Sequence, residues 1–468
     1  MLPLNFDEKV EKMKNSIMYW KRRELTPIGR ITVVKSILLP NITHLFMSLP
    51  NPSDYVINTI KNMLVDFVWQ GPSKIKYSIL IKQHEEGGLK MPDIYSYMKS
   101  LKISWLKRLS NSNNSNYAIL VNEIINIEKL FNCGKLYASS LHKNIQNDFW
   151  KDVLKALTDF IDIVPINSLE SFSELPLFYN HNFLVDGKPV FYRLWYEKGV
   201  RYVRDLLDCN GNFLRREHFE NKCGFKVNFL NYESLLNAVR KYKMNLNTQN
   251  PMNLHRGLPS FPIMPCYIKP LLTSKQGISK QYSMFINNSE IPTSNIKWQN
   301  MFNTTLLEWK YLYSWVYIVT KDSYLQWFQT RIAHRLLATN SLLCKLKISN
   351  TDLCSFCKIE KETLTHLFWE CPIVADFIVD IKNCFHRSDI AFEIDCKSFL
   401  LGKSDKKCEP FNLLCLEIKR YMYLCKRKGI IPSLTGLKGS LTLALSIVSK
   451  TNTWNAKMSY WSLVQYLV

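Results

Sequence analysis

The apolar residues Phe6, Val10, Met13, Ile17 and Trp20 recur at steps of four and three. This places them on one stripe of an α-helix, with Lys12, Lys14 and Lys21 elsewhere on its surface. Thr26-Pro27 reads as an N-cap followed by proline at the first helical position, opening a second helix with Ile31, Val34 and Leu38, and Leu39-Pro40 reads as its end. Ser53-Asp54 opens a third amphipathic run carrying Val56, Ile60, Met63, Leu64, Phe67 and Val68, which Gly71-Pro72 breaks. The stretch from Lys74 to Leu80 alternates weakly, as a short strand or a turn would. Gly87-Gly88 and Pro92 form a loop, and a further helix is predicted from about Asp93 to Leu109.

Ser110-Asn-Ser-Asn-Asn-Ser-Asn116 is a polar, breaker-rich boundary, followed by helical sequence up to a compact stretch from Phe183 to Tyr242. Six of the 19 prolines and seven asparagines fall between residues 245 and 295, a composition that reads as an extended connector. Helices resume near Trp298 and run to about Lys347. Among them Leu325, Phe328, Ile332 and Leu336 make an apolar stripe, with Arg331 and His334 on its far side and Arg335 at its flank. The expected fold is mainly α, in segments 1–110, 111–244, 245–295, 296–387 and 388–468. No fixed-period repeat is visible.

Charge narrows the function. The 468 residues hold 61 Lys and Arg against 39 Asp and Glu, a formal net charge of +22, while 47% of residues are hydrophobic. A chain with that apolar content buries large cores, so the charge belongs to a folded protein and predicts a polyanionic partner, RNA or DNA first. Residues 1–110 carry 17 Lys and Arg against nine Asp and Glu, a net +8, and the other +14 lies beyond. No stretch approaches the ~18 uncharged apolar residues of a membrane span, and the N-terminus shows no basic region leading into an apolar one. The expectation is a cytoplasmic or nuclear protein with no membrane partner and no evident small-molecule substrate.

Nine of the thirteen cysteines lie beyond residue 340. Among them Cys354-x2-Cys357-x8-His366-x4-Cys371 has metal-ligand character, because two thiolates two residues apart bind one ion from a tight turn and a His and a Cys from the next element complete a tetrahedron. Four closed N and S ligands point to one structural Zn²⁺ with no open position for catalysis. The alternative is a set of reduced core thiols beside an ordinary histidine. The other late cysteines, and tryptophans such as Trp105, Trp195 and Trp369, are expected in cores.

Lys403, Lys406, Lys407, Lys419, Arg420, Lys426, Arg427 and Lys428 form a late basic concentration. It and the Arg331/Arg335 cluster suit phosphate contact, or simply a solvated face. There is no Asp-Asp pair for two-metal nucleotidyl transfer and no phosphate loop, nucleophile elbow or HExxH motif, so no catalytic residue is assigned.

Three groups of residues resemble the C-terminal portion of the reverse-transcriptase polyprotein of LINE-type, non-LTR retrotransposons. The stretch from Trp20 to Pro40, with Phe67-Val-Trp-Gln-Gly71 and Gly87-Gly-Leu-Lys-Met-Pro-Asp-Ile-Tyr-Ser-Tyr97, is similar to the thumb-side region. Trp195 to Leu207 resembles a segment between thumb and zinc unit. Gln329-Thr-Arg-Ile-Ala-His334, Thr339-Asn340 and the Cys/His set resemble the reverse-transcriptase zinc-binding domain. The resemblance implies a helical thumb-like domain that handles template and primer and a zinc-containing part that binds element RNA or target DNA during target-primed reverse transcription. It also implies an upstream polymerase region, and this chain lacks the catalytic aspartates and endonuclease of the full pattern. Arg30, Lys35, Lys74 and Lys76 are the thumb-side candidates for nucleic-acid contact, and Arg331 and Arg335 the zinc-side ones. The competing readings are a zinc-containing protein-interaction scaffold and a non-functional element remnant. Charge gathered on one concave face favours nucleic acid, and an even spread with an exposed apolar patch favours a protein partner.

Overall fold

The protein is described from a computed structural model, which covers residues 2–111, 121, 123–246, 265–272, 277–286, 289–305, 307–387, 393–450, 463–465 and 467. It is mainly helical. Most of the polar break at 110–116, and residues 247–264 of the connector, lie outside the described residues. Two compact units divide the chain: 1–13, 40–61 and 93–287 form one, and 14–39, 62–92 and 288–468 the other. Residues 1–110 thus supply pieces to both units, a partition that linear composition does not display.

The N-terminal predictions hold closely. The Leu2–Lys21 helix buries Phe6, Val10, Met13 and Ile17. Thr26 caps the Pro27–Val33 helix by accepting the Gly29 N–H at 3.2 Å, with proline at the first turn. Two readings change. A wide π-type turn, Val34–Leu38, carries the helical path on to Pro40–Ser48, because proline needs no N–H partner in a first turn and so starts a helix here. The Lys74–Leu80 stretch is no strand; it ends in a short helix, Tyr77–Leu80, which buries Ile79 and Leu80 together.

In the first unit the Ile94–Asn111 and Asp148–Ile163 helices share a core of Leu106, Leu109, Val153, Leu154, Leu157 and Phe160. Tyr267, Ile268 and Leu271 belong to the same core, so the later half of the 245–295 segment is packed rather than linking. Its prolines stand at helix starts, where they cost nothing in hydrogen bonds: Pro270 opens Lys269–Leu272 and Pro292 precedes Thr293–Met301. A second core gathers Phe172, Phe178, Phe183, Trp195, Val203, Phe219 and Leu235. It carries a two-residue hairpin, Leu184–Val185 against Lys188–Pro189, turned by Asp186 and Gly187 at φ 50° and 74°. That Asp-Gly pair is a strong hairpin signal which helix-directed reading passes over.

The second unit is organised around the Trp309–Val319, Ser323–Ala333 and Glu409–Lys428 helices. Trp298 and Trp315 are fully buried, and each donates its indole N–H at 2.8 Å, to the carbonyls of Ala333 and Leu401. The Ser323–Ala333 helix buries residues on nearly every side, including Gln326, Trp327, Gln329 and Thr330 as well as Leu325, Phe328 and Ile332. Its solvent-facing side is thereby narrowed, with Tyr324 exposed and Arg331 partly so. His334 at its end donates from Nε2 to the Gly87 carbonyl at 2.9 Å, and Leu337 rather than Leu336 is the buried leucine beyond it. Gly88 is required by space: a Cβ there would stand 2.0 Å from the Lys82 carbonyl oxygen. Among the described residues no single helix is long and apolar enough to cross a membrane.

Candidate metal centre

The four candidate metal ligands, Cys354, Cys357, His366 and Cys371, are presented by a knuckle, a wide helical turn and a helix start. The knuckle is closed by the Cys354 N–H donating to the Glu360 carbonyl at 2.7 Å and by a bridge pairing Leu353 with Lys361. Lys358, at φ 62°, turns the chain just after the second thiol, and the Phe356 N–H points at Cys354 Sγ at 3.4 Å. His366 opens the π-type turn His366–Glu370, whose widened bond runs from the Cys371 N–H to the His366 carbonyl at 3.0 Å. Cys371 then precedes Pro372, the first residue of the Pro372–His386 helix. The sequence predicts the tight turn at the first two thiols and a helical stretch carrying His366; the wide turn, and Cys371 standing at the start of the next helix, are additions of the structure.

The four ligand atoms all lie within 4.8 Å of one another. Cys354 Sγ is 3.9 Å from Cys371 Sγ, and Cys357 Sγ is 3.4 Å from His366 Nε2. A tetrahedral Zn²⁺ with its usual bond lengths sets such atoms ~3.8 Å apart for two sulfurs and ~3.5 Å for sulfur and nitrogen, so the residues fit that ion. His366 Nδ1 lies 3.1 Å from a Glu360 carboxylate oxygen, which orients the ring and leaves Nε2 to face the thiols. Burial pushes the Cys354 thiol up to about 12. Burial also opposes the Cys357 thiolate, but the N–H groups of Glu360 and Ile359 and the His366 ring outweigh it and bring Cys357 down to about 6. A metal held here would supply a fixed cross-link between knuckle and helix. Of the other late cysteines, Cys415 and Cys425 are buried in the core, Cys384 and Cys396 pack against it partly buried, and Cys344 and Cys408 are partly exposed.

Glu362, which sequence reading passed over, anchors the knuckle. None of its surface is exposed, and its carboxylate accepts the N–H groups of Asn340 and Ser355 at 2.8 Å each and pairs with Lys426. Asn340 adds a bond from Nδ2 to the Leu353 carbonyl at 2.7 Å. No local spacing signals the pair, because its partners stand 64 residues apart.

The late basic concentration disperses. Lys419 is wholly buried, donating to Gln329 Oε1 at 2.7 Å and the Leu400 carbonyl at 2.9 Å, and burial lowers its amine to about 7. Lys426 is held by Glu362, and Arg420 faces Glu417 at 3.7 Å. Arg427 and Lys428 remain exposed.

The candidates for nucleic-acid contact also part company. Lys76 is ion-paired with Glu290 at 2.6 Å. Arg335, at φ 57°, lies with its guanidinium carbon 4.5 Å from the Trp298 ring centroid. Lys35 is exposed, its amine brought down to about 8 by local desolvation and by the Lys90 charge. Arg30, Lys74 and Arg331 lie in the second unit without a carboxylate partner among the described residues.

Residues 282–377, which enclose all four metal ligands together with Glu360 and Glu362, match the family model described as zinc-binding in reverse transcriptase, and they mark the chain as reverse-transcriptase-related.

Proposed function

We propose that this chain is the nucleic-acid-holding C-terminal part of a LINE-type retrotransposon reverse transcriptase. It engages template, primer and element RNA during target-primed reverse transcription, with a polymerase region supplied upstream. The observation that carries the reading is a closed Cys₃His set inside the stretch similar to a zinc-binding region of reverse transcriptase. Four protein ligands leave no open position for substrate, so the ion serves the fold and leaves binding to the basic surface. The net charge of +22 supplies the matching electrostatics for RNA or DNA.

The test is equilibrium binding of the zinc-loaded chain to single-stranded RNA, duplex DNA and an RNA–DNA hybrid across a salt series. Log K should fall linearly with log salt, by about 0.7 per single-strand contact or 0.9 per duplex contact. No binding at low salt, or a flat salt response, overturns the reading and leaves a protein-interaction scaffold or an inactive remnant.

A further inference from the structure

We infer that Arg30, Lys74 and Arg331 form one binding site for the phosphate backbone of a nucleic acid, an inference that rests on the function proposed above. Sequence order assigns the first two to the thumb-side stretch and the third to the zinc side. All three belong to the same compact unit.

Arg30 donates from one guanidinium nitrogen to the Val68 carbonyl at 3.0 Å and from the other to Gln70 Oε1 at 2.8 Å. Both acceptors are neutral, so its charge is uncompensated. Trp69, between them in sequence, has its ring centroid 6.0 Å from that of Trp327. Arg331 stands one helical turn beyond Trp327, with its guanidinium carbon 6.0 Å from the Trp327 ring, 5.9 Å from Phe328 and 6.0 Å from Tyr423. The aromatic cluster thus joins the two arginines. Lys74, four residues past Gln70, is exposed, and the charges of Arg331 and Arg30 add to its desolvation in lowering its amine.

Two further observations concern the polar atoms of this cluster. Arg331 and Lys74 make no side-chain hydrogen bond or ion pair among the described residues. Eight buried side-chain N or O atoms there lack a partner, and three fall at this place: Nε of Arg30, Nε of Arg331 and Nε1 of Trp69, the tryptophan itself being 5% exposed. Like charges gathered without a counter-charge raise one another's energy, and a phosphodiester relieves all three at once. Guanidinium groups meet phosphate oxygens two at a time, and the lysine adds a point charge at the open side. The exposed Arg427 stands one helical turn beyond Tyr423, whose ring Arg331 faces, and extends the set beyond what one free phosphate needs, which suits a chain of phosphates.

The experiment measures binding of fluorescent single-stranded RNA to the zinc-loaded full chain between 50 and 300 mM NaCl. The double variant Lys74→Gln/Arg331→Gln should lose about tenfold in affinity at 100 mM salt, and its slope should drop by about 1.4, two single-strand contacts. The control Lys188→Gln/Lys198→Gln removes the same charge from exposed positions and should change affinity less than twofold. Zinc content and circular dichroism check folding. Should Arg331→Gln unfold the aromatic cluster, the exposed Lys74→Gln alone should still lower the slope by about 0.7. Variants indistinguishable from the control overturn the site while the proposed function stands; a wild-type chain that binds no RNA overturns both. Inorganic phosphate bound by the wild-type chain and lost in the double variant, with RNA affinity unchanged between the two, means a free-anion site and overturns the nucleic-acid assignment.

Discussion

Glu362 and Lys426 form a buried ion pair, with side chains 0% and 8% exposed, that ties the metal knuckle to the Glu409–Lys428 helix. The carboxylate also holds two backbone N–H groups, from Asn340 and Ser355. Such a pair contributes little against a well-packed apolar substitute, but breaking one side strands the other charge.

Lys426→Met should therefore cost about 3–5 kcal/mol, read as a lowered guanidinium midpoint of the zinc-loaded chain. Glu362→Gln added to it should recover part of that loss, since the amide oxygen still accepts a backbone N–H without a buried charge. A double variant weaker than the single one speaks against the pair.

Zinc should be present at one ion per chain by elemental analysis, and Cys371→Ser should remove it. The thiolate and imidazole must be deprotonated to bind, so uptake of the ion should release protons. Freshly purified, unchelated protein without zinc would refute the assignment.

Glu360→Ala should leave all four ligands in place and weaken zinc by roughly 10–100-fold, because the His366 ring loses the carboxylate that orients it. Competition with a chelator of known affinity measures this, with Glu170→Ala, an exposed carboxylate elsewhere, as the unchanged reference.

Acid should weaken the second unit through two partly buried histidines. Burial holds His334 down to about 4, its Gly87 bond opposing only in part. His84, stacked on Tyr317 with centroids 3.6 Å apart, is brought to about 4 by burial, with Lys90 and Lys35 adding to it. In the unfolded chain these rings take protons near 6.5. Between 6.5 and 4 the unfolded state thus binds protons that the folded state refuses, and stability present at neutral pH is lost as pH falls. His334→Gln should show a smaller drop in midpoint between pH 7.5 and 5.5 than the unsubstituted chain. An equal drop in both would assign the acid sensitivity elsewhere.

Local rules read well where the physics is local. The stripe from Phe6 to Ile17, the Thr26 cap before Pro27 and the Cys354-x2-Cys357 knuckle each follow from residues within a few turns of one another. Reading fails where burial is two-sided or pairing is distant. Periodicity places Arg331 and His334 opposite an apolar stripe and so in water, yet Gln326, Gln329 and Thr330 are buried as well and leave both residues only partly exposed. Lys76, Lys419 and Lys426 look alike as sequence. Their partners Glu290, Gln329 and Glu362 lie 214, 90 and 64 residues away and make each a structural link.

The same distance sets the size of the piece that can be studied alone. The family match stops at residue 377, but the counter-charge of Glu362 and the apolar partners Leu413, Leu414, Ile418 and Met422 all come later in the chain. A fragment cut at the edge of the match would keep every metal ligand and still carry a buried carboxylate with no cation and a core with one wall missing. Boundaries for expression, and for grafting this zinc unit onto another protein, belong beyond Lys428.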